Sequence, residues 1–163
     1  MWNLLHAETA APDRADKMML YGRFVGAWRG RAVVHLPEGG TRESIAEVSF
    51  AWVLEGRAIQ DVWRAPADVA PEARRMYGTT LRVYDPSLDH WRITWIDPVP
   101  QIERRMIGRA VGADIVQEYV EAGVRTQWCF TDITDASFHW LARASPTSHD
   151  AWVVAAEFFL HRV

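Results

Sequence analysis

Three titratable side chains in strand-like sequence are the first places to look for chemistry. They are His139 in Phe138-His139-Trp140, Asp61 in Gln60-Asp61-Val62-Trp63, and Glu157 in Ala156-Glu157-Phe158. An imidazole with a carboxylate partner is a minimal general acid–base pair, and a carboxyl group walled by aromatic rings has its pKa raised toward neutrality. These three are the candidate catalytic residues, although their spacing alone does not bring them together. A lone histidine in a strand is more often a hydrogen-bonded structural residue.

Other chemistries find less support. Cys129 is the single cysteine, has no neighbouring histidine and excludes a disulfide framework or a multi-cysteine metal site. His35, His90, His139, His149 and His161 never pair at ligand spacing, so no metal is expected. Ser145 and Ser148 lie in a predicted loop without the strand–turn–helix setting of a nucleophile elbow. No glycine cluster leads into a helix, which removes the phosphate-cradling loops. Arg74-Arg75 and Arg104-Arg105 are short basic steps, and the net charge is −3, so nucleic acid is not an expected partner.

The unusual component is aromatic. The chain of 163 residues carries nine tryptophans within 49% hydrophobic and 24% charged residues, the composition of one globular domain. No apolar stretch is long enough for a transmembrane helix, and His6 and Glu8 break the N-terminal run before it reaches the length of an export signal. The expected compartment is the cytoplasm, without membrane insertion.

The elements that must position these residues are mostly strands. Residues 1–12 read as a tail ending at Pro12, and residues 13–163 as one domain. Ala15, Met18, Met19 and Phe24 at helical spacing predict a short helix, with Asp13 as its N-cap. Ten strands follow: 28–36, 42–53, 57–64, 77–84, 90–97, 101–109, 114–120, 124–133, 137–143 and 151–162. The links are mostly of hairpin length, including Asp85-Pro86-Ser87-Leu88-Asp89 and turns at Gly112 and Gly123, where positive φ is expected. Sequential hairpins predict an all-β, antiparallel up-and-down barrel of about ten strands, with the helix capping one end. A two-sheet sandwich with Greek-key links is the alternative.

Phe24-Val25-Gly26-Ala27-Trp28, placed between the helix and the first strand, resembles the F-x-G-x-W opening of the calycin barrels, which include lipocalins, fatty-acid-binding proteins and nitrobindins. Gly26-Ala27-Trp28-Arg29-Gly30-Arg31-Ala32 is similar to the nitrobindin form G-x-W-x-G-x-G, with Ala32 in place of the last glycine. Phe130-Thr131-Asp132-Ile133 and Ser137-Phe138-His139-Trp140 look like a bacterial group of this shape. The resemblance implies that Trp28 plugs the closed end. It also implies, for nitrobindins, a haem held by a histidine on the last strand. There this chain has only His161, at the extreme end, so haem is disfavoured and no cofactor is expected.

Hairpin geometry lets the inner face be followed from strand to strand. A two-residue turn at Ala122-Gly123 pairs Tyr119 with Thr126 and Gln117 with Trp128. A tight turn centred on Asp135-Ala136 pairs Phe130 with Leu141. The predicted lumen face is then Ile115, Gln117, Tyr119, Thr126, Trp128, Phe130, His139 and Leu141, with Cys129, Phe138 and Trp140 outside. Trp91, Ile93 and Trp95 point inward on the middle hairpin, while the faces of 57–64 and 151–162 stay undecided.

The expected site is a lumen walled by Trp91, Trp95, Trp128 and Phe130, with Arg104, Gln117 and Tyr119 as orienting polar groups. The leading expectation is binding of a small, largely apolar or aromatic molecule there. One alternative is a cofactor-independent isomerase or cyclase using His139, Glu157 and Asp61 in the same lumen. Another is a barrel filled by its own tryptophans. A homodimer through a flat outer face bearing Trp140 or Trp63 is compatible with the pattern.

Overall fold

Ten strands close on themselves in the computed structural model, which describes residues 5–148 and 151–163. They are β1 Gly26–His35, β2 Thr41–Val53, β3 Ala58–Ala65, β4 Met76–Asp85, β5 His90–Asp97, β6 Ile102–Val111, β7 Asp114–Glu121, β8 Val124–Thr131, β9 Ser137–Pro146 and β10 Val153–Arg162. Each pairs antiparallel with its sequence neighbour, and β1 pairs with β10 to complete the barrel. This is the up-and-down barrel that the chain of hairpin signals predicts. No Greek-key crossover occurs among the described residues, and no described helix is long and apolar enough to cross a membrane.

The β1–β10 seam depends on Gly30. A Cβ there would lie 1.9 Å from the carbonyl oxygen of Phe159, so the two backbones approach as closely as they do only because position 30 has no side chain. Helix α1, Ala15–Gly22, follows a 3-10 turn at Pro12–Arg14. Asp13 does not cap it, contrary to the sequence reading: Arg14 holds the N-cap position, and the Asp13 carboxylate accepts from Arg57 Nη1 at 3.0 Å instead. The helix turns Met18 and Tyr21 into one end of the barrel, with Phe24 just beyond it, and all three are fully buried.

Trp28 closes that end as the plug. Its Nε1 donates to the Phe24 carbonyl at 2.7 Å, and the Arg162 guanidinium covers its ring at 4.2 Å from the centroid. Residues 5–12 lie along the same end, where Ala7 bridges Trp52 and the Ala11 amide donates to Gly56. Trp2, assigned to the tail from sequence, lies outside the described residues, as does His149.

Alternation fixes what faces inward. The register from β7 to β8 pairs Tyr119 with Thr126 and Gln117 with Trp128, as a two-residue turn requires. The β8–β9 link is different. Residues 132–136 form a five-residue connection in which Thr134 Oγ1 accepts the amides of Ala136 and Ser137, and the pairs become Thr131 with His139 and Phe130 with Trp140. Relative to the predicted pairing, β9 is slipped by one residue, which moves every side chain to the other face. Phe138 and Trp140 therefore point inward, and His139 and Leu141 outward, reversing the sequence assignment. Trp63 also points inward, opposite Gly78 and Val48. Trp140 and Trp63, expected on a flat outer face, therefore lie inside the barrel.

Candidate functional site

The barrel interior is layered along its axis. Next to the helix, Tyr21, Phe24, Phe50, Trp91, Phe130 and Phe138 form a continuous aromatic plug, with ring centroids 4.8–6.5 Å apart. Toward the opposite end the rings are Trp63, Trp95, Trp128 and Trp140, linked edge-to-face or tilted at 5.3–5.6 Å. Gly78 makes room for this second layer: a Cβ there would sit 2.7 Å from the Trp95 ring.

Between the layers lies a buried polar stratum. Arg82, 1% exposed, donates from Nε to Gln117 Oε1 at 2.9 Å and from Nη1 to the Asp61 carboxylate. Asp61 also accepts the Thr80 amide at 2.8 Å. The guanidinium lies over the Tyr21 ring at 4.9 Å and within 5.8 Å of Phe50 and Phe130, so aromatic faces cover the side toward the helix. Burial pushes the Tyr21 phenol well above its usual range, partly offset by Arg82. Gln117 Nε2, buried in this region, has no hydrogen-bond partner.

On the other side of Arg82 is a narrow void, too small for a water-sized sphere, lined by Trp63, Met76, Thr80, Arg82, Trp95, Trp128 and Trp140. Trp128 and Met76 are only half-buried, whereas Trp63, Trp95 and Trp140 are buried. The inner wall beyond the void is built from small groups, among them Ala142, Ala144 and Ala156. Arg104 stands at this mouth, 5.8 Å from the Tyr119 ring centroid and 3.6 Å from Glu121.

The predicted site residues thus divide. Trp95 and Trp128 line the void, Gln117 sits behind its floor, and Arg104 and Tyr119 lie at the mouth. Trp91 and Phe130 are interior but belong to the helix-side plug. Asp61 is buried in the lumen, and its carboxylate is engaged by Arg82. His139 and Glu157 do meet, but on the outer wall. His139 Nε2 lies 3.1 Å from Glu157 Oε1, and His35 Nε2 lies 2.7 Å from Glu157 Oε2. The His139 ring stacks on Phe159 at 4.4 Å. The barrel wall therefore separates this pair from Asp61, and the three do not form one acid–base set in the lumen. Ser145 is buried within β9, not in a loop. Cys129 faces outward yet is buried, and burial raises its thiol pKa.

The inner face does not fit a histidine-held haem. His161 pairs with Ser137 and Arg29 on the outer face, the described strand histidines all point outward, and tryptophan rings occupy the space. Among the described residues no group of three or more potential ligands could hold a metal ion.

Arg82, Trp63, Trp140, Met76 and Thr80 line the void without having been expected there from the sequence. The signal for Arg82 was present. Trp91, Ile93 and Trp95 fix the inner face of β5, and carrying that face across the Asp85–Asp89 turn pairs Tyr84 with Trp91 and Arg82 with Ile93. Leu81 and Val83, the more apolar alternates, masked it by pointing outward.

No protein-family profile and no curated protein sequence matches this chain. Solved structures do. The chain is similar to Rv2717c from M. tuberculosis at 17% identity and a TM-score of 0.62, covering 94% of this chain and 99% of that one. It is also similar to the S-type phycobiliprotein lyase CPES from Guillardia theta at 10% identity and a TM-score of 0.60, covering 89% and 91%. At these identities the likeness is one of fold, a closed antiparallel ten-strand barrel in this chain.

Proposed function

We propose that the protein binds a small, largely apolar or aromatic molecule at the end of the barrel opposite the helix, between Trp63, Trp95, Trp128 and Trp140. The observation that carries this reading is the void on the mouth side of Arg82, walled by four indoles and floored by a buried polar group. A mostly apolar wall with one convergent polar feature is the composition of small-molecule sites in general. In the closed state the rings fill one another's space. Entry therefore requires Trp128, the half-buried member, to swing outward and return as part of the wall. The barrel fold also serves a lyase in Guillardia theta, which supports the scaffold's capacity for a site without transferring that activity.

The isomerase or cyclase reading finds no specific support, because its acid–base residues lie on opposite sides of the wall. Titration with N-phenyl-1-naphthylamine, a neutral probe that quenches tryptophan emission by energy transfer, tests the binding reading. The expected result is saturable one-to-one quenching in the wild type and at least tenfold weaker binding in Trp128→Ala. Unsaturable quenching, or equal affinity in the two proteins, overturns it.

A further inference from the structure

Resting on that reading, we infer that the ligand is a neutral, planar aromatic molecule bearing one hydrogen-bond acceptor, a carbonyl oxygen, that ends on Arg82. The walls of the void are ring faces and edges, which favour a flat partner of similar width. The floor supplies donors. Arg82 lines the void with Nε given to Gln117, Nη1 to Asp61 and Tyr21 beside it on the helix side; a guanidinium has five N–H donors, so donors remain for an acceptor on the void side. Behind it, Gln117 spends Oε1 on Arg82, and its fully buried Nε2 has no partner. An acceptor entering from the mouth meets a charged donor, with a second, neutral donor close behind.

The charge balance decides between a carbonyl and a carboxylate. Asp61 already neutralises Arg82, so the buried pair has no spare positive charge. A ligand carboxylate would add an anion beside a buried carboxylate, in a region that also holds Asp97 on the inner face. The Asp97 oxygens accept the amides of Tyr77 and Val99 at 3.2 and 3.1 Å. Of the inner-face cations toward the mouth, Arg104 faces Glu121 and Arg42 is exposed at the rim. Burying an uncompensated anion is costly, whereas a carbonyl gains a charge-assisted hydrogen bond without adding charge.

Calorimetric titration of the full chain with 2-acetylnaphthalene, 2-ethylnaphthalene and 2-naphthoate separates the terms. The three have nearly equal size and differ only at one substituent. After correction for each compound's water-to-octanol transfer, the acetyl compound is expected to bind at least tenfold more tightly than either other. In the charge-neutral double variant Asp61→Asn/Arg82→Met, that ratio is expected to fall at least tenfold. Equal corrected affinities, or tightest binding of the naphthoate, overturn the inference while leaving the lumen reading intact. Failure of all three, together with the neutral probe above, overturns both. If the double variant does not fold, the wild-type ranking alone decides.

Discussion

At the scale of single residues, the most consequential pair is Asp61 and Arg82. Both are about 1% exposed, and each is the other's only ionic partner in the described interior. A buried ion pair contributes little net stability, but removing one partner leaves an uncompensated charge that costs about 3–5 kcal/mol. Asp61→Asn is therefore expected to lower the unfolding free energy by about that amount in urea titrations. The double replacement Asp61→Leu/Arg82→Leu is expected to cost less than the single one, because no charge is left stranded. Equal or larger loss in the double variant would mean that the pair itself stabilises the barrel. Asp61 was recognisable in sequence as a candidate lumen carboxylate. Its partner was not, because an arginine in an alternating strand reads as solvent-facing unless the strand's face is known.

At the scale of elements, faces follow from turns. The β7–β8 inner face was legible because Ala122 and Gly123, both at positive φ, form a two-residue turn that the sequence signals. The β8–β9 face was not, because Thr134 holds a longer turn through its hydroxyl, and a one-residue difference in loop count exchanges the two sides of β9. Substitutions measure this directly. Trp140→Ala is expected to cost about 3–5 kcal/mol as a buried ring is lost. His139→Ala, which loses two outer-wall hydrogen bonds, is expected to cost about 1–2 kcal/mol. The reverse ranking in denaturant unfolding would restore the predicted pairing. The helix is tied to the β4–β5 turn by Asp89, which accepts from Lys17 at 2.7 Å and Tyr84 at 2.6 Å. The Lys17 hydrogen bond and then that of Tyr84 hold the Asp89 carboxyl below its usual value, while Asp89 raises both Lys17 and Tyr84. Asp89 thus contributes stability above the ordinary carboxylate pKa that is lost as pH falls through its lowered folded value. Lys17 and Tyr84 contribute below their ordinary values and lose it as pH rises through the raised ones. Asp89→Asn is expected to flatten the stability profile at both the acid and alkaline limbs, and an unchanged profile by thermal unfolding would contradict this.

At the scale of the whole molecule, one closed sheet does two different jobs along its axis. The helix end is plugged by Trp28 and a phenylalanine-rich cluster, and the opposite end holds a box of indoles over a neutralised arginine. The ten strands and their order were legible in the sequence, since short links and alternation leave few topologies open. The division of the interior into a plug and a box was not, because it depends on which tryptophans share a level, and that is set by register around the full circle. The most direct test of the account is a ¹⁵N-edited NMR spectrum of the indole N–H groups recorded with and without saturating N-phenyl-1-naphthylamine. The signals of Trp63, Trp95, Trp128 and Trp140 are expected to shift while those of Trp28 and Trp152 stay in place. Bound probe with those four signals unmoved, or with shifts confined to Trp152 on the outer wall, would contradict it.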